Sequence, residues 1–195
     1  LLSGTDRIAN AASKPYPDKS RSINHIVPYP AGGQSEIVGR IIASLLEKEL
    51  GIPVNVVIKP GAGGQVGVTE LVRSRPDGYT MGLLVFPTVI TTSLDPDRKA
   101  IYSRKSFELL GSHMKDPGVI VVKGDSPYKT LKDFLEAAKA KPGSIKTTTS
   151  GILSDDHIAA VMTQQVAGVK FAIVHFDGAT PGRVAVLGGH VEAYY

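Results

Sequence analysis

The feature that most constrains this chain is a strand, glycine loop and amphipathic helix that occurs twice in succession. Residues 26–42 begin as an apolar run, break at Pro28, Pro30, Gly32 and Gly33, and continue into a helical pattern. From Ser35 onward Ile37, Val38, Ile41, Ile42, Leu45, Leu46 and Leu50 recur with helical period, opposite Glu36, Arg40, Glu47 and Lys48. Gly51 and Pro53 supply the stop. Val54–Ile58 then reads as a buried strand, Gly61-Ala-Gly-Gly64 as a small-residue loop, and Gln65–Arg73 as a second helix with Val68, Leu71 and Val72 inward. Consecutive parallel strands are usually neighbours, so both glycine loops should leave the carboxyl edge of one sheet. A helix starting just after such a loop presents unpaired N–H groups and the positive end of its dipole, with no Cβ to keep an anion away.

The alternation continues. Arg75-Pro-Asp-Gly78 is a turn feeding a strand over 79–85, and 88–106 is read as an irregular connector. Strand runs follow at 107–110 and 119–122. Thr130 with Asp133 forms a capping-box pattern before Leu131, Phe134, Leu135 and Ala138, and Pro142-Gly143 ends that helix. A strand over 145–149, a helix over 155–167 with Ile158, Val161, Met162 and Val166 inward, a strand over 171–174, a helix near 181–187 and a strand over 191–195 complete the pattern. Strands alternating with helices predict an α/β fold with parallel-rich sheets. The divisions are a flexible lead-in over 1–21, a first lobe over 22–106 and a second over 107–195.

The residues also exclude several functions. The 195-residue chain is 42% hydrophobic, enough for a sizeable core, and carries a net charge of +4 scattered among 18 acids with no tryptophan. That pattern disfavours nucleic-acid binding. Without cysteine there is no disulfide frame and no thiolate metal site. No run approaches the roughly 20 apolar residues of a membrane span. His25, His113, His157, His175 and His190 show no metal-ligand spacing, no G-x-S-x-G elbow is present, and no cofactor is implied. Val66 stands where G-x-G-x-x-G needs glycine, and neither loop carries Gly-Lys-Ser/Thr. Asp155 and Asp156 read as first-turn carboxylates facing a helix dipole. With almost no Lys or Arg in the loops, an anion would be held by backbone N–H groups, the Ser35 hydroxyl, the Gln34 amide and water.

Val27-Pro-Tyr-Pro-Ala-Gly-Gly33 with Glu36 and Arg40, then Lys59-Pro-Gly-Ala-Gly-Gly64, then Arg75-Pro-Asp-Gly-Tyr-Thr80 together resemble the substrate-binding proteins of tripartite tricarboxylate transporters, the TctC or Bug family. The likeness runs on through Ser126-Pro-Tyr-Lys-Thr-Leu131, Ala138-Lys-Ala-Lys-Pro-Gly143, Thr149-Ser-Gly151 with His157, Val174-His-Phe-Asp-Gly178 and Leu187-Gly-Gly-His-Val191. It covers nearly everything after residue 22. Two departures stand out: the family commonly has Asp where Glu36 stands, and Val-Glu-Asn where this chain has Val56-Val57-Ile58.

The resemblance implies a two-lobed, periplasmic-binding-protein-like (type II-like) fold whose first lobe is incomplete here, because the family normally continues past Val191 with a segment that crosses back. It implies a periplasmic protein, its signal peptide removed, that captures a small organic carboxylate for the membrane subunits of a tripartite tricarboxylate-type transporter and is not an enzyme. By position, Tyr29, Ala31, Gly32, Gly33, Ser35, Gly61, Ala62, Gly63 and Gly64 would form the first-lobe site. Phe86, Thr88, Ser150, Gly151, Ser154, His157, Asp177 and Gly178 would face it. An α/β enzyme with a phosphate- or nucleotide-binding glycine loop, and a remnant that no longer binds, remain as alternatives on the residues alone.

Overall fold

The two strand–loop–helix units lie side by side. In the computed structural model, which describes residues 15–195, β1 (Ile23–Val27) pairs in parallel with β2 (Val54–Ile58), Ile23 opposite Val54 and Val27 opposite Ile58. A short β3 (Thr80–Gly82) flanks β1 on its other edge, giving the order β2-β1-β3. Helices α1 (Gln34–Leu50) and α2 (Gln65–Arg73) follow their glycine loops, so both loops stand at one end of one sheet, as the patterning requires. Gly51 closes α1 in the left-handed region, φ 62°.

The helices approach the sheet through small residues. Gly39 and Ala43 are the buried residues of α1, and a Cβ on Gly39 would stand 2.7 Å from Val27 Cγ2. Val38, Ile42, Leu46 and Leu50 are half-buried, while Ile37, Ile41 and Leu45 form an exposed line down the helix, each more than half exposed. The expected apolar stripe is therefore real but only one flank of it is covered. On α2, a Cβ at Gly67 would meet the Lys59 carbonyl at 2.8 Å and Pro28 at 2.7 Å, so glycine is what lets helix and strand end touch.

Between the sheets runs a segment read as irregular that in fact contains α3 (Thr88–Leu94), with Thr88, Val89 and Thr92 buried. Its threonines and β-branched residues are weak helix formers. Tertiary packing overrides them: Val89 joins Val68, Tyr102, Leu84 and Phe107 in a core. The strand expected over 107–110 is absent, for Leu109 and Leu110 are exposed and no neighbouring strand pairs with them. Pairing resumes at β4 (Val121–Val122).

The second sheet has the order β4-β7-β5-β6, with β5 (Lys146–Thr149), β6 (Ala172–His175) and β7 (Ala193–Tyr194) parallel and β4 antiparallel to β7. Around it lie α4 (Leu131–Ala140), α5 (Asp155–Ala167) and α6 (Ala179–Leu187). The capping box at α4 forms as read: Thr130 Oγ1 accepts from Asp133 N, and Asp133 accepts from Thr130 N. The reading of α5 needs correction. Met162 and Val166 are 56% and 88% exposed, and it is Ala160 that is buried, because α5 packs through alanines against Phe134, Phe171 and Tyr195.

Of the expected lead-in, residues 1–14 lie outside the described residues, while the stretch just before β1 is fastened to the turn at 77–79. Tyr16 donates to the Gly78 carbonyl at 2.9 Å, Arg21 pairs with Asp77 at 2.8 Å, and the Arg21 guanidinium lies 3.4 Å over the Tyr79 ring.

One core residue sets a pH dependence. His25, 1% exposed between β1 and α1, has an Nδ1 with no partner among the described residues, and burial pushes its pKa below the usual imidazole value. His157 and His175 are lowered too, chiefly by burial. The unfolded chain therefore takes up protons first, so stability is full above about pH 6.5 and falls below it. Asp155, pushed up to about 6, works in the opposite sense: the folded state takes up that proton first, and stability recovers in part between about 6 and 3.8. The urea midpoint should be flat from about pH 8 to 7 and decline most steeply just below 6.5, with a shallower decline in His25→Leu. An identical slope in that variant would remove His25 from the account.

Candidate functional site

Between the carboxyl ends of the two sheets, loops from both halves meet. The first loop, after β1, carries Tyr29, Ala31, Gly32 and Gly33, with Ser35 in the first turn of α1. Gly32 has φ 78° and its N–H donates to Glu36 Oε2 at 2.7 Å. That bond, followed by Arg40, holds the Glu36 carboxyl below the usual range. Gly33 is buried, with space for a Cβ no closer than 3.4 Å to the Pro30 carbonyl. Ala31 is exposed and Ser35 half-buried.

The second loop is more contorted. Gly61, Ala62, Gly63 and Gly64 have φ of 130°, 51°, 66° and 95°, a run that only a glycine-rich sequence enters without strain. Gly64 N–H and Val66 N–H turn back to the Gly61 carbonyl, while Gly63 N–H points out of the loop. It donates to Asp177 Oδ1 at 2.9 Å, from the loop after β6. A Cβ on Gly151 would lie 3.3 Å from Gly63 Cα, and one on Gly178 2.7 Å from Pro30 Cδ, so the facing loops are in van der Waals contact.

The second-half loops are held by their own polar groups. Ser154 caps α5, accepting from His157 N and donating to the Gly151 carbonyl. His157 Nδ1 accepts from Leu153 N, which places the ring proton on Nε2, and the ring stands edge-on to His175 at 4.5 Å. His157 and Ser154 thus shape the loop rather than reach out of it. Ser150 N donates to Asp156 Oδ2, which also accepts from the Tyr194 hydroxyl, both at 2.9 Å. Asp155, exposed as a residue, meets Thr88 Oγ1 at 3.3 Å; loss of solvent around its carboxyl, and then the Asp156 charge, raise it. Tyr29 is raised in turn by loss of solvent and then by Asp155 and Asp156, with Thr88 acting against them. Phe86 is half exposed at the rim.

Three further residues hold these loops, two of them by bridging the halves. Arg98 donates to the Ile152 carbonyl at 3.2 Å and the Ala62 carbonyl at 3.5 Å, Thr91 Oγ1 donates to the Leu153 carbonyl at 2.7 Å, and Glu36 caps Gly32. Only Glu36 had a local clue, its i,i+4 spacing from Arg40. Among the described residues, no cluster of His, Cys, Asp and Glu is placed to hold a metal ion, and no helix is long and apolar enough to cross a membrane.

The same chain of loops and strands is found in known proteins, and residues 38–195 match the family described as "Tripartite tricarboxylate transporter family receptor" (TctC). The chain belongs to the TctC family. The UPF0065 protein in the gbd 5' region of Cupriavidus necator is 32% identical over 94% of this chain and 55% of its own length. Among solved structures, a periplasmic transporter superposes with a TM-score of 0.85 at 29% identity, covering 92% of this chain and 60% of the other. The periplasmic binding protein BugD does so with 0.72 at 28%, over 89% and 57%. This TctC-family chain thus spans little more than half the length of the relatives it matches. The α/β, two-lobed binding-protein fold expected of it is the fold of these neighbours.

Proposed function

We propose that this TctC-family chain is the capture part of an extracytoplasmic solute-binding protein, that it takes a small organic acid by its carboxylate between lobes 22–106 and 107–195, and that it presents the acid to the membrane subunits of a tripartite tricarboxylate-type transporter without transforming it. The observation that carries this reading is that Gly63 N–H and Gly32 N–H each hold a carboxylate oxygen, at 2.9 Å and 2.7 Å. Backbone donors at loops of this shape select a delocalised anion and offer no nucleophile. Tyr29, Ala31, Gly33, Ser35, Gly61, Ala62 and Gly64 would complete the first face. Phe86, Thr88, Ser150, Gly151, Ser154, His157 and Gly178 would complete the other, several of them by fixing loop shape rather than by touching the acid, with Asp177 at its rim.

Thermal unfolding against a panel of C3–C6 dicarboxylates and of nucleotides tests this. A ligand that binds the native state at one hundred times its dissociation constant stabilises it by about 2.7 kcal/mol, so at least one acid should raise the midpoint and no nucleotide should. A rise with a nucleotide and with none of the acids would replace this reading by that of a phosphate-binding protein.

A further inference from the structure

The outward donor of the second glycine loop is already engaged by the protein itself. Gly63 N–H meets Asp177 Oδ1 at 2.9 Å, across the boundary between the halves and 114 residues along the chain. The partner is a carboxylate, the same group that an organic acid would bring. Resting on the reading of these loops as a carboxylate site, we propose that Asp177 is a built-in competitor: its carboxylate holds the Gly63 N–H in the place of the ligand's, and an acid enters by displacing it.

The turn around Asp177 suits that role. Its backbone is fixed on both sides, Phe176 N–H donating to the Thr149 carbonyl at 3.1 Å and Gly178 N–H to the Ser150 carbonyl at 2.9 Å, with Gly178 at φ 105° seated against Pro30. The Asp177 side chain is exposed at the rim, so rotation about two bonds withdraws it without moving that backbone. The three N–H groups that follow Gly63 are not in competition for an acid, since Gly64 N–H and Val66 N–H are turned inward to Gly61 and Gln65 N–H to Ala62. Displacement leaves the rest of the boundary standing, because Arg98 still joins the Ala62 and Ile152 carbonyls and Thr91 still reaches Leu153. A solute with a single weak contact would lose to Asp177. One that adds further contacts from its remainder would win, so the residue sets a threshold for entry.

Isothermal titration with succinate on the parent chain, Asp177→Ala and Asp177→Asn tests the proposal, together with the Gly63 amide resonance. Removing a competitor of exposed hydrogen-bond strength should tighten succinate binding in Asp177→Ala by about three- to tenfold. Asp177→Asn, which keeps an acceptor but no charge, should fall between. The gain should persist at about 0.5 M salt, where screening over about 4 Å suppresses a purely remote charge effect. The Gly63 amide proton should move upfield in Asp177→Ala and return on adding succinate. Equal or weaker binding in Asp177→Ala, a gain abolished by salt, or an unmoved Gly63 amide overturns the proposal and leaves the carboxylate reading intact. Failure of succinate and every other dicarboxylate to bind any of the three proteins removes that reading, and the competitor with it.

Discussion

Gly63→Val is expected to weaken binding of a small dicarboxylate by about tenfold to a hundredfold. A hydrogen bond to a charged group contributes about 1.5–3 kcal/mol, and each 1.4 kcal/mol is a factor of ten. Valine removes that contact in two ways. At φ 66° a β-branched residue is strained by about 1–2 kcal/mol, so the loop turns away from the conformation that aims the N–H outward. The added methyl groups also screen the donor, with a Cβ 3.8 Å from the Ile152 carbonyl. Nothing in that space forbids folding, so unfolding should stay cooperative. Gly33 provides the contrast: its φ is −90°, in the range of any residue, and Gly33→Ala should lose far less. Titration calorimetry giving the same affinity for Gly63→Val and the parent chain would show that this loop does not touch the solute.

The second large effect concerns stability. Phe134 is 2% exposed, with Phe171 at 5.2 Å and Tyr128 at 5.4 Å between ring centroids, and it sits among Ala138, Ile145, Ala160, Val169, Ala193 and Tyr195. Phe134→Ala leaves a cavity bordered by helices α4 and α5 and strand β7, elements that cannot all close on it. The expected loss is about 3–5 kcal/mol. Urea unfolding should show a lower midpoint with an unchanged slope, and Phe134→Leu should recover most of the difference. A loss below about 1 kcal/mol for the alanine variant would mean that this cluster is not the centre of the second sheet's core.

Much of the framework was legible because it is local. The boundaries of α2 and α5, the Gly51 stop and the Thr130 cap each follow from residues within a few positions of one another, and the pairing of β1 with β2 from the rule that consecutive parallel strands are usually neighbours. What the pattern could not tell was how closely a helix lies on its sheet. Hydrophobic period marks Ile37, Ile41 and Leu45 as inward as readily as Val38 and Ile42, yet the approach is through Gly39 and Ala43, which carry almost no hydropathy signal. Met162 and Val166 were misplaced for the same reason, with Ala160 the true contact. The glycines of the site were readable from their spacing. Arg98 and Thr91 were not, since each reaches a carbonyl more than fifty positions away, and the stretch that holds them has no apolar period to mark it.

The order β4-β7-β5-β6 has a bearing on how the protein is made. Strand β7 pairs with β4 on one side and β5 on the other, yet its residues are synthesised after every other strand of that sheet. Until Ala193 and Tyr194 emerge from the ribosome, β5 has one open edge and β4 has no partner, while β1, β2 and β3 can already pair with one another. Nascent chains at this stage carry one paired three-stranded sheet beside a second with an open edge, and that edge is what a chaperone or a second nascent chain would meet.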